Sequence, residues 1–105
     1  MALAPLPEAR YRFDVRRARY AEDDAPLVEG CPCPTCGVHT RAYVHYLSRA
    51  EEMTGVRLLA AHNLSYLERL VRGAREAIQA GAFATYRDQI LGGAPPWGAL
   101  TAYGS

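Results

Sequence analysis

The stretch Cys31-Pro32-Cys33-Pro34-Thr35-Cys36 contains every cysteine of this 105-residue chain. An odd number of thiols placed so close together cannot be paired off completely in disulfides within the chain. The three sulfurs can instead bind one soft metal ion if a fourth ligand comes from elsewhere. Histidine is the natural candidate, and the chain has His39, His45 and His62. The cluster therefore predicts a metal site whose fourth ligand determines which parts of the fold the metal joins.

Length and composition set the scale of the fold. A chain of 105 residues forms one small domain or a part of a larger one. Half of its residues are hydrophobic, which suffices for a core, and a structural metal would add stability that so small a core lacks. The formal net charge of +1 indicates no particular partner. All 12 cationic residues are arginines. Arginine recognises anions such as phosphate well, but we favour a GC-rich genome as the explanation for the absence of lysine.

Targeting signals are not recognisable in the sequence. It has no apolar run of 18 residues, so we expect no membrane span. The N-terminal residues lack the basic and apolar stretches of a signal peptide. Clustered cysteines with metal-ligand spacing are typical of a reducing compartment. We therefore expect a cytoplasmic protein.

The chain divides into three regions of different character. Residues 1–30 are irregular, except that 11–16 alternate apolar and polar side chains, which predicts one short strand in need of a neighbour. Residues 31–91 are expected to form a zinc-binding helical subdomain. Residues 92–105 are expected to form a flexible tail. The predicted class is an α-rich α+β fold with a short N-terminal strand or strands, a Cys₃His zinc knuckle and two to three helices.

Apolar residues at three- and four-residue steps predict the helices. The first is expected over about 41–53, with Thr40 as its N-cap and Gly55 as its stop. The second is expected over 56–80, and a short third helix over 82–91. The cysteine loop precedes all three, so a helix that begins directly after it would hold the loop in place.

The spacing of the cysteines suits a tetrahedral zinc ion. Cys-x-Cys-x-x-Cys can place three sulfurs about 2.3 Å from zinc, at three corners of a tetrahedron. His62 lies where the second helical segment begins, so this ligand would tie the loop to that helix and close a long loop. His39 would give a purely local site and His45 lies within the first helix, so we favour His62. Four protein ligands leave no open position, which predicts one structural zinc. The alternatives are buried apolar cysteines or redox-active thiols.

Further stretches add a family resemblance. They are Thr40–Leu47, Met53–Leu58 and His62–Leu64 after the cysteines, with Ala18–Asp23 before them and Gly81–Phe83 near the end. Together with the cysteines they resemble the C-terminal zinc-binding region of bacterial-type tRNA-guanine transglycosylase (queuine tRNA-ribosyltransferase), over about residues 8–90. In that family the histidine ligand stands 26 positions after the third cysteine, where this chain has His62. The resemblance implies Cys31, Cys33, Cys36 and His62 as zinc ligands.

The resemblance also implies what this chain lacks. The family is a TIM-barrel enzyme that exchanges the guanine at the wobble position of tRNA for a queuine precursor. Its aspartate nucleophile and base lie upstream of the matched region, and none of this chain's four aspartates occupies a matching motif. A barrel also needs about 250 residues. We therefore expect the C-terminal portion of such an enzyme, as a fragment or one part of a split gene, with no catalytic residue and no activity alone.

Partners follow from the same resemblance. They are tRNA through the parent enzyme, the catalytic barrel portion if the gene is split, and a second copy in a homodimer. Aromatic positions after the cysteines meet the partner subunit in this family, and here they are His39, Tyr43 and Tyr46. The alternative function is a stand-alone structural zinc module that binds RNA or protein without catalysis. A net charge of +1 gives it weak support, because RNA binding usually needs a concentrated basic face.

Overall fold

The computed structural model describes residues 1–97 of the chain. This part contains a two-stranded antiparallel sheet and four α-helices. In chain order the elements are β1 (Ala2–Leu3), β2 (Arg12–Phe13), α1 (Pro34–Val38), α2 (Arg41–Arg49), α3 (Met53–Gln79) and α4 (Phe83–Leu91). The chain is therefore helix-rich with a small sheet, in agreement with the predicted α-rich α+β class.

The predicted strand is shorter than expected, and its neighbour comes from the region predicted to be irregular. β2 pairs with β1 in antiparallel register, so that Ala2 lies opposite Phe13. Arg10 and Tyr11 both adopt left-handed backbone conformations, with φ of 58° and 63°. Because the chain turns sharply at these two residues, the extended segment cannot start at Tyr11. The alternation nevertheless identified Phe13 and Val15 as inward-facing, and both are buried.

The cysteine segment is partly helical, where the sequence predicted a loop. α1 begins directly after Cys33, whose sulfur accepts the backbone N–H of Cys36 at 3.3 Å. Pro34 occupies the first turn of α1, where a missing N–H removes no helical hydrogen bond. α2 begins as predicted, because the side-chain oxygen of Thr40 accepts the N–H of Tyr43 at 3.1 Å.

The boundary between the next two helices was predicted wrongly. α2 ends at Arg49, and Glu51 then takes a left-handed φ of 57°, which interrupts the helix. α3 starts at Met53, so Gly55 lies inside α3 and does not stop α2. A Cβ atom at Gly55 would lie 3.0 Å from the Cβ of Leu47. Glycine therefore permits a close approach between α2 and α3.

α3 is the longest element, with 27 residues. Gly81 follows its end with φ of 69°, the left-handed conformation that suits a residue just past a helix. α4 lies where the third helix was predicted and packs back on α3 through Tyr86, whose hydroxyl donates to the Leu70 carbonyl at 2.7 Å. Of the helices within residues 1–97, none has the combination of length and apolarity that a membrane span requires.

The main core joins the sheet, the cysteine segment and α2. Its buried members are Ala2, Ala4, Phe13, Val15, Tyr20, Leu27, Val28, Cys31, Cys33 and Val44. Arg41 of α2 holds the segment before the cysteines: its guanidinium pairs with Asp23 at 3.0 Å and donates to the Leu27 carbonyl. Two of the three predicted zinc ligands in the cysteine segment are thus part of the core itself.

The last described residues are packed against the body of the chain. Pro96 is fully buried, and the Trp97 ring meets the Tyr66 ring edge-on with 5.9 Å between centroids. Pro96 and Trp97, which belong to the predicted flexible tail, thus pack against other residues of the chain. The rest of that prediction, residues 98–105, falls outside the described part of the chain.

Candidate metal centre

Four side chains converge where the cysteine segment meets the middle of α3. Cys31 and Cys33 lie just before α1, Cys36 lies within it, and His62 lies on α3. One possible ligand atom from each residue lies within 4.8 Å of all the others. The structure therefore brings together the four residues that the sequence singled out.

The distances in this cluster fit a tetrahedral zinc ion. His62 Nδ1 lies 3.4 Å from the Sγ atoms of Cys33 and Cys36, and 3.7 Å from that of Cys31. With Zn–S bonds of about 2.3 Å and a Zn–N bond of about 2.0 Å, tetrahedral geometry separates nitrogen and sulfur by about 3.5 Å. The observed distances lie on both sides of this value. Three thiolates and one imidazole would occupy all four positions of the ion, which makes the centre structural.

The orientation of His62 is fixed from its far side. Its Nε2 lies 2.8 Å from the Leu3 carbonyl oxygen, so we assign the proton to Nε2, which donates to that carbonyl. Nδ1 is then left with a free lone pair directed at the sulfurs. The side chain is completely buried, and this burial lowers the pKa of His62 although the Leu3 carbonyl acts in the opposite direction. The ring is therefore neutral, as a zinc ligand must be.

Asn63 makes a second connection between α3 and β1 that sequence reasoning missed. Its side-chain oxygen accepts the N–H of Leu3 at 2.9 Å, and its amide nitrogen donates to the Met1 carbonyl at 2.9 Å. His62 and Asn63 thus hold the carbonyl and the N–H of the same strand residue. The only sequence signal was the position of an asparagine beside the candidate ligand, which does not identify the partner.

Burial disfavours thiolates in the metal-free chain. It raises the pKa of the Cys31 thiol to about 12: a hydrogen bond from the Cys33 backbone opposes the shift, whereas the Cys33 side chain and the charge of Cys36 add to it. Burial also raises the pKa of Cys36. Because a neutral thiol is a poor nucleophile, these surroundings argue against redox-active cysteines. A bound cation would supply the positive charge that three thiolates need.

Zinc binding to the metal-free chain should release about three protons per ion at pH 7, because each cysteine must bind as a thiolate. The raised pKa values of Cys31 and Cys36 keep those thiols protonated beforehand. His62 contributes no proton, since its lowered pKa leaves it neutral. Titration in weak buffer with a pH indicator measures the release, and Cys36→Ser should reduce it by about one proton. Release of fewer than about two protons by the unmodified chain would contradict thiolate ligation.

The other two histidines lie away from the cluster. His45 Nδ1 donates to the Val15 carbonyl at 2.8 Å and so ties α2 to the chain after β2. The His39 ring stacks on Tyr43 with 5.0 Å between centroids. Tyr43 and Tyr46 are 42% and 65% exposed. Tyr43 and Tyr46 are thus exposed, and His39 is partly buried beside Tyr43.

A closed Cys₃His cluster that joins a short helix to a long one defines a small helical zinc-binding unit. A family model described as queuine tRNA-ribosyltransferase matches residues 4–95, a range that includes all four possible ligands. The chain belongs to the queuine tRNA-ribosyltransferase family.

Individual curated relatives carry the same description. The queuine tRNA-ribosyltransferase of Novosphingobium aromaticivorans is 49% identical over 74 residues, which cover 70% of this chain and 20% of the relative. That of Oleidesulfovibrio alaskensis is 46% identical over 78 residues, 74% of this chain and 21% of the relative. That of Roseiflexus sp. is 41% identical over 91 residues, 87% of this chain and 23% of the relative. The chain thus spans about a fifth of the length of the relatives it matches.

Proposed function

We propose that this chain is the zinc-binding C-terminal portion of a tRNA-guanine transglycosylase, which exchanges guanine at the wobble position of tRNA for a queuine precursor. The observation that carries the proposal is the Cys₃His cluster in a chain whose relatives are named queuine tRNA-ribosyltransferases. In this role the chain supports tRNA docking and dimerisation in the cytoplasm. One structural zinc holds it together, and the remainder of the enzyme performs the exchange.

An apolar stripe along α3 supports a large protein partner. Its members are 46–68% exposed and share one face of the helix: Met53, Val56, Leu64, Leu67, Val71 and Ile78. Extended exposed apolar surfaces of this kind mark contact sites. About four fifths of each relative lies outside the region aligned with this chain. We propose that the α3 stripe packs against that remainder, the catalytic barrel of the family.

Two aspartates of the chain take part in structural interactions, which supports a catalytic site elsewhere in the enzyme. Asp23 pairs with Arg41, and a hydrogen bond from the Ala25 N–H, followed by Arg41, holds the pKa of Asp23 below its ordinary value. Asp14 accepts the backbone N–H of Arg16. These two aspartates have structural partners within the described residues. We propose that the enzyme takes its nucleophile and base from another part.

Dimerisation is proposed through three aromatic residues that follow the cysteine segment in the chain, of which Tyr43 and Tyr46 are exposed and His39 is partly buried. The stacked pair of His39 and Tyr43 forms a preformed flat surface, and Tyr46 extends it along α2. Aromatic side chains of this kind contribute large contact area at low conformational entropy cost. We propose these three residues as the contact with a second copy of the enzyme.

The purified zinc-bound chain should show no base exchange when incubated with tRNA and labelled guanine, because it lacks a nucleophile in the required context. Exchange should appear when a barrel portion from a relative is added, and should exceed the exchange by that barrel alone by at least about ten-fold. Incorporation of label into tRNA measures both results. The matched control is His62→Ala, which should not restore activity.

Two outcomes would contradict this function. Turnover by the chain alone would show that its own residues perform the chemistry. Failure of the chain to increase the activity of any barrel portion would favour the stand-alone zinc module that binds RNA or protein.

A further inference from the structure

Positive charge is concentrated in one short stretch of the chain. Residues 10–19 contain five arginines and one aspartate, a net charge of +4, whereas the whole chain has a net charge of +1. The other 95 residues therefore carry a net charge of −3. The small overall charge thus conceals a basic segment, and a concentrated basic segment is the electrostatic feature of a polyanion-binding surface.

The fold arranges part of this segment around a cleft, which we call the arginine cleft. It has a volume of about 380 Å³ and is lined by Arg12, Arg17 and Arg19. All three side chains belong to exposed residues. None of them forms an ion pair within residues 1–97, where the ion pairs involve Arg41, Arg72 and Arg87. Their guanidinium groups are therefore free to bind an external anion.

The lining of the cleft includes residues of the core. Arg12 lies on β2, and Phe13 and Tyr20 contribute aromatic rings to the lining. Arg19 lies over the ring of Tyr20, 5.1 Å from its centroid. Both aromatic residues are buried, and their rings contact each other with centroids 5.1 Å apart. The cleft is thus built on the core and is not a loose group of surface side chains.

Two carboxylates reduce the positive charge of the cleft without cancelling it. Glu8 and Asp14 also line it. Asp14 is already engaged, because one of its oxygens accepts the backbone N–H of Arg16. Three arginines face two carboxylates inside the cleft, and two further exposed arginines, Arg10 and Arg16, lie beside them in the chain. The net charge of the cleft and the neighbouring residues therefore remains positive.

We propose that the arginine cleft binds the phosphate backbone of RNA, with Arg12 and Arg17 as the direct contacts. A guanidinium presents parallel N–H donors that match phosphate oxygens, and several arginines spaced along a concave surface suit successive phosphates. RNA is favoured over an anionic membrane because the cationic groups surround a recess, whereas a lipid surface needs a flat or convex basic face. The proposal rests on the proposed function for the choice of RNA as the partner.

The test measures binding of the zinc-loaded chain to a fluorescently labelled RNA stem-loop by anisotropy, at several salt concentrations. The variant is Arg12→Gln/Arg17→Gln, and the matched control is Arg57→Gln/Arg75→Gln, which removes the same charge from exposed positions on α3. The first should weaken binding by at least about ten-fold and lower the slope of log K against log salt by about 1.5. The control should stay within about two-fold. Zinc content checks that both variants are folded.

Three results would overturn the inference. Equal weakening by both double variants would show that only net charge matters, and no RNA binding by the unmodified chain would remove the basis of the site. Binding to phosphatidylserine vesicles that depends on Arg12 and Arg17, with RNA binding unaffected, would assign the cleft to lipid. The base-exchange assay tests the proposed function separately. If exchange is restored but RNA affinity does not depend on Arg12 and Arg17, the proposed function stands and this site is rejected. If RNA binding depends on these arginines but exchange is not restored, the site stands and the proposed function is rejected.

Discussion

His62→Ala should abolish stoichiometric zinc binding and unfold much of the chain at room temperature. The substitution removes one of four ligands and also the hydrogen bond to the Leu3 carbonyl. Loss of a group that merely orients a ligand costs about 10- to 100-fold in metal affinity, so loss of the ligand should exceed 100-fold. Structural zinc contributes on the order of 10 kcal/mol in small zinc-dependent folds. Metal analysis after gel filtration and thermal melting by circular dichroism measure the two effects.

His39→Ala is the matched control for the zinc experiment. His39 lies close to the cysteines in the sequence but stacks on Tyr43 and is not one of the four residues of the cluster. We expect this variant to retain one zinc per chain and to melt within a few degrees of the unmodified protein, as a surface substitution should. Retention of zinc by His62→Ala together with its loss in His39→Ala would show that the wrong histidine has been assigned.

Gly73→Ala should destabilise the packing of α4 on α3 by about 2 kcal/mol, although alanine is the better helix former by about 1 kcal/mol. A Cβ atom at Gly73 would lie 2.5 Å from the Tyr86 hydroxyl oxygen, closer than real contacts allow. Tyr86 is 3% exposed and its hydroxyl bonds the Leu70 carbonyl, so the ring cannot move aside without losing that bond. Urea unfolding monitored by far-ultraviolet circular dichroism measures the change.

Two comparisons isolate the contact between Gly73 and Tyr86. Gly37→Ala adds the same methyl group where no atom lies within 4 Å, and it should be neutral or stabilising by up to about 1 kcal/mol. In a Tyr86→Ala background, Gly73→Ala should have no further cost, because the obstructing ring is absent. Additive losses in the double variant would show that the effect of Gly73→Ala comes from the α3 backbone and not from Tyr86.

The metal cluster was predictable from sequence because three of its four residues are close together in the chain. Three cysteines on one short segment limit the possible geometry, and His62 was the histidine that joined two elements. The orientation of His62 was not predictable in the same way. It depends on the Leu3 carbonyl, which lies 59 residues away and carries no side-chain signal. Backbone acceptors are present at every residue, so only the fold shows which one is used.

The remaining errors have different physical origins. The end of α2 depends on the left-handed conformation of Glu51, which is uncommon for a residue with a Cβ atom and leaves no pattern in the sequence. Gly55 was interpreted as a helix stop, but it serves the close contact with Leu47. The arginine cleft was overlooked for another reason: the net charge was counted over the whole chain, whereas a ten-residue window shows it directly.

The bond between His62 and Leu3 has a consequence for how the protein is made. Its two ends are separated by 59 residues, so at ribosomal elongation rates of about 5–20 residues per second the strand residue leaves the ribosome several seconds before the histidine. During that interval the cysteines, which are also synthesised first, have no fourth ligand. The complete set of four ligands therefore forms only once the middle of α3 has been synthesised. The hydrogen bond from His62 can thus fix the early strand only after the middle of the long helix has been synthesised.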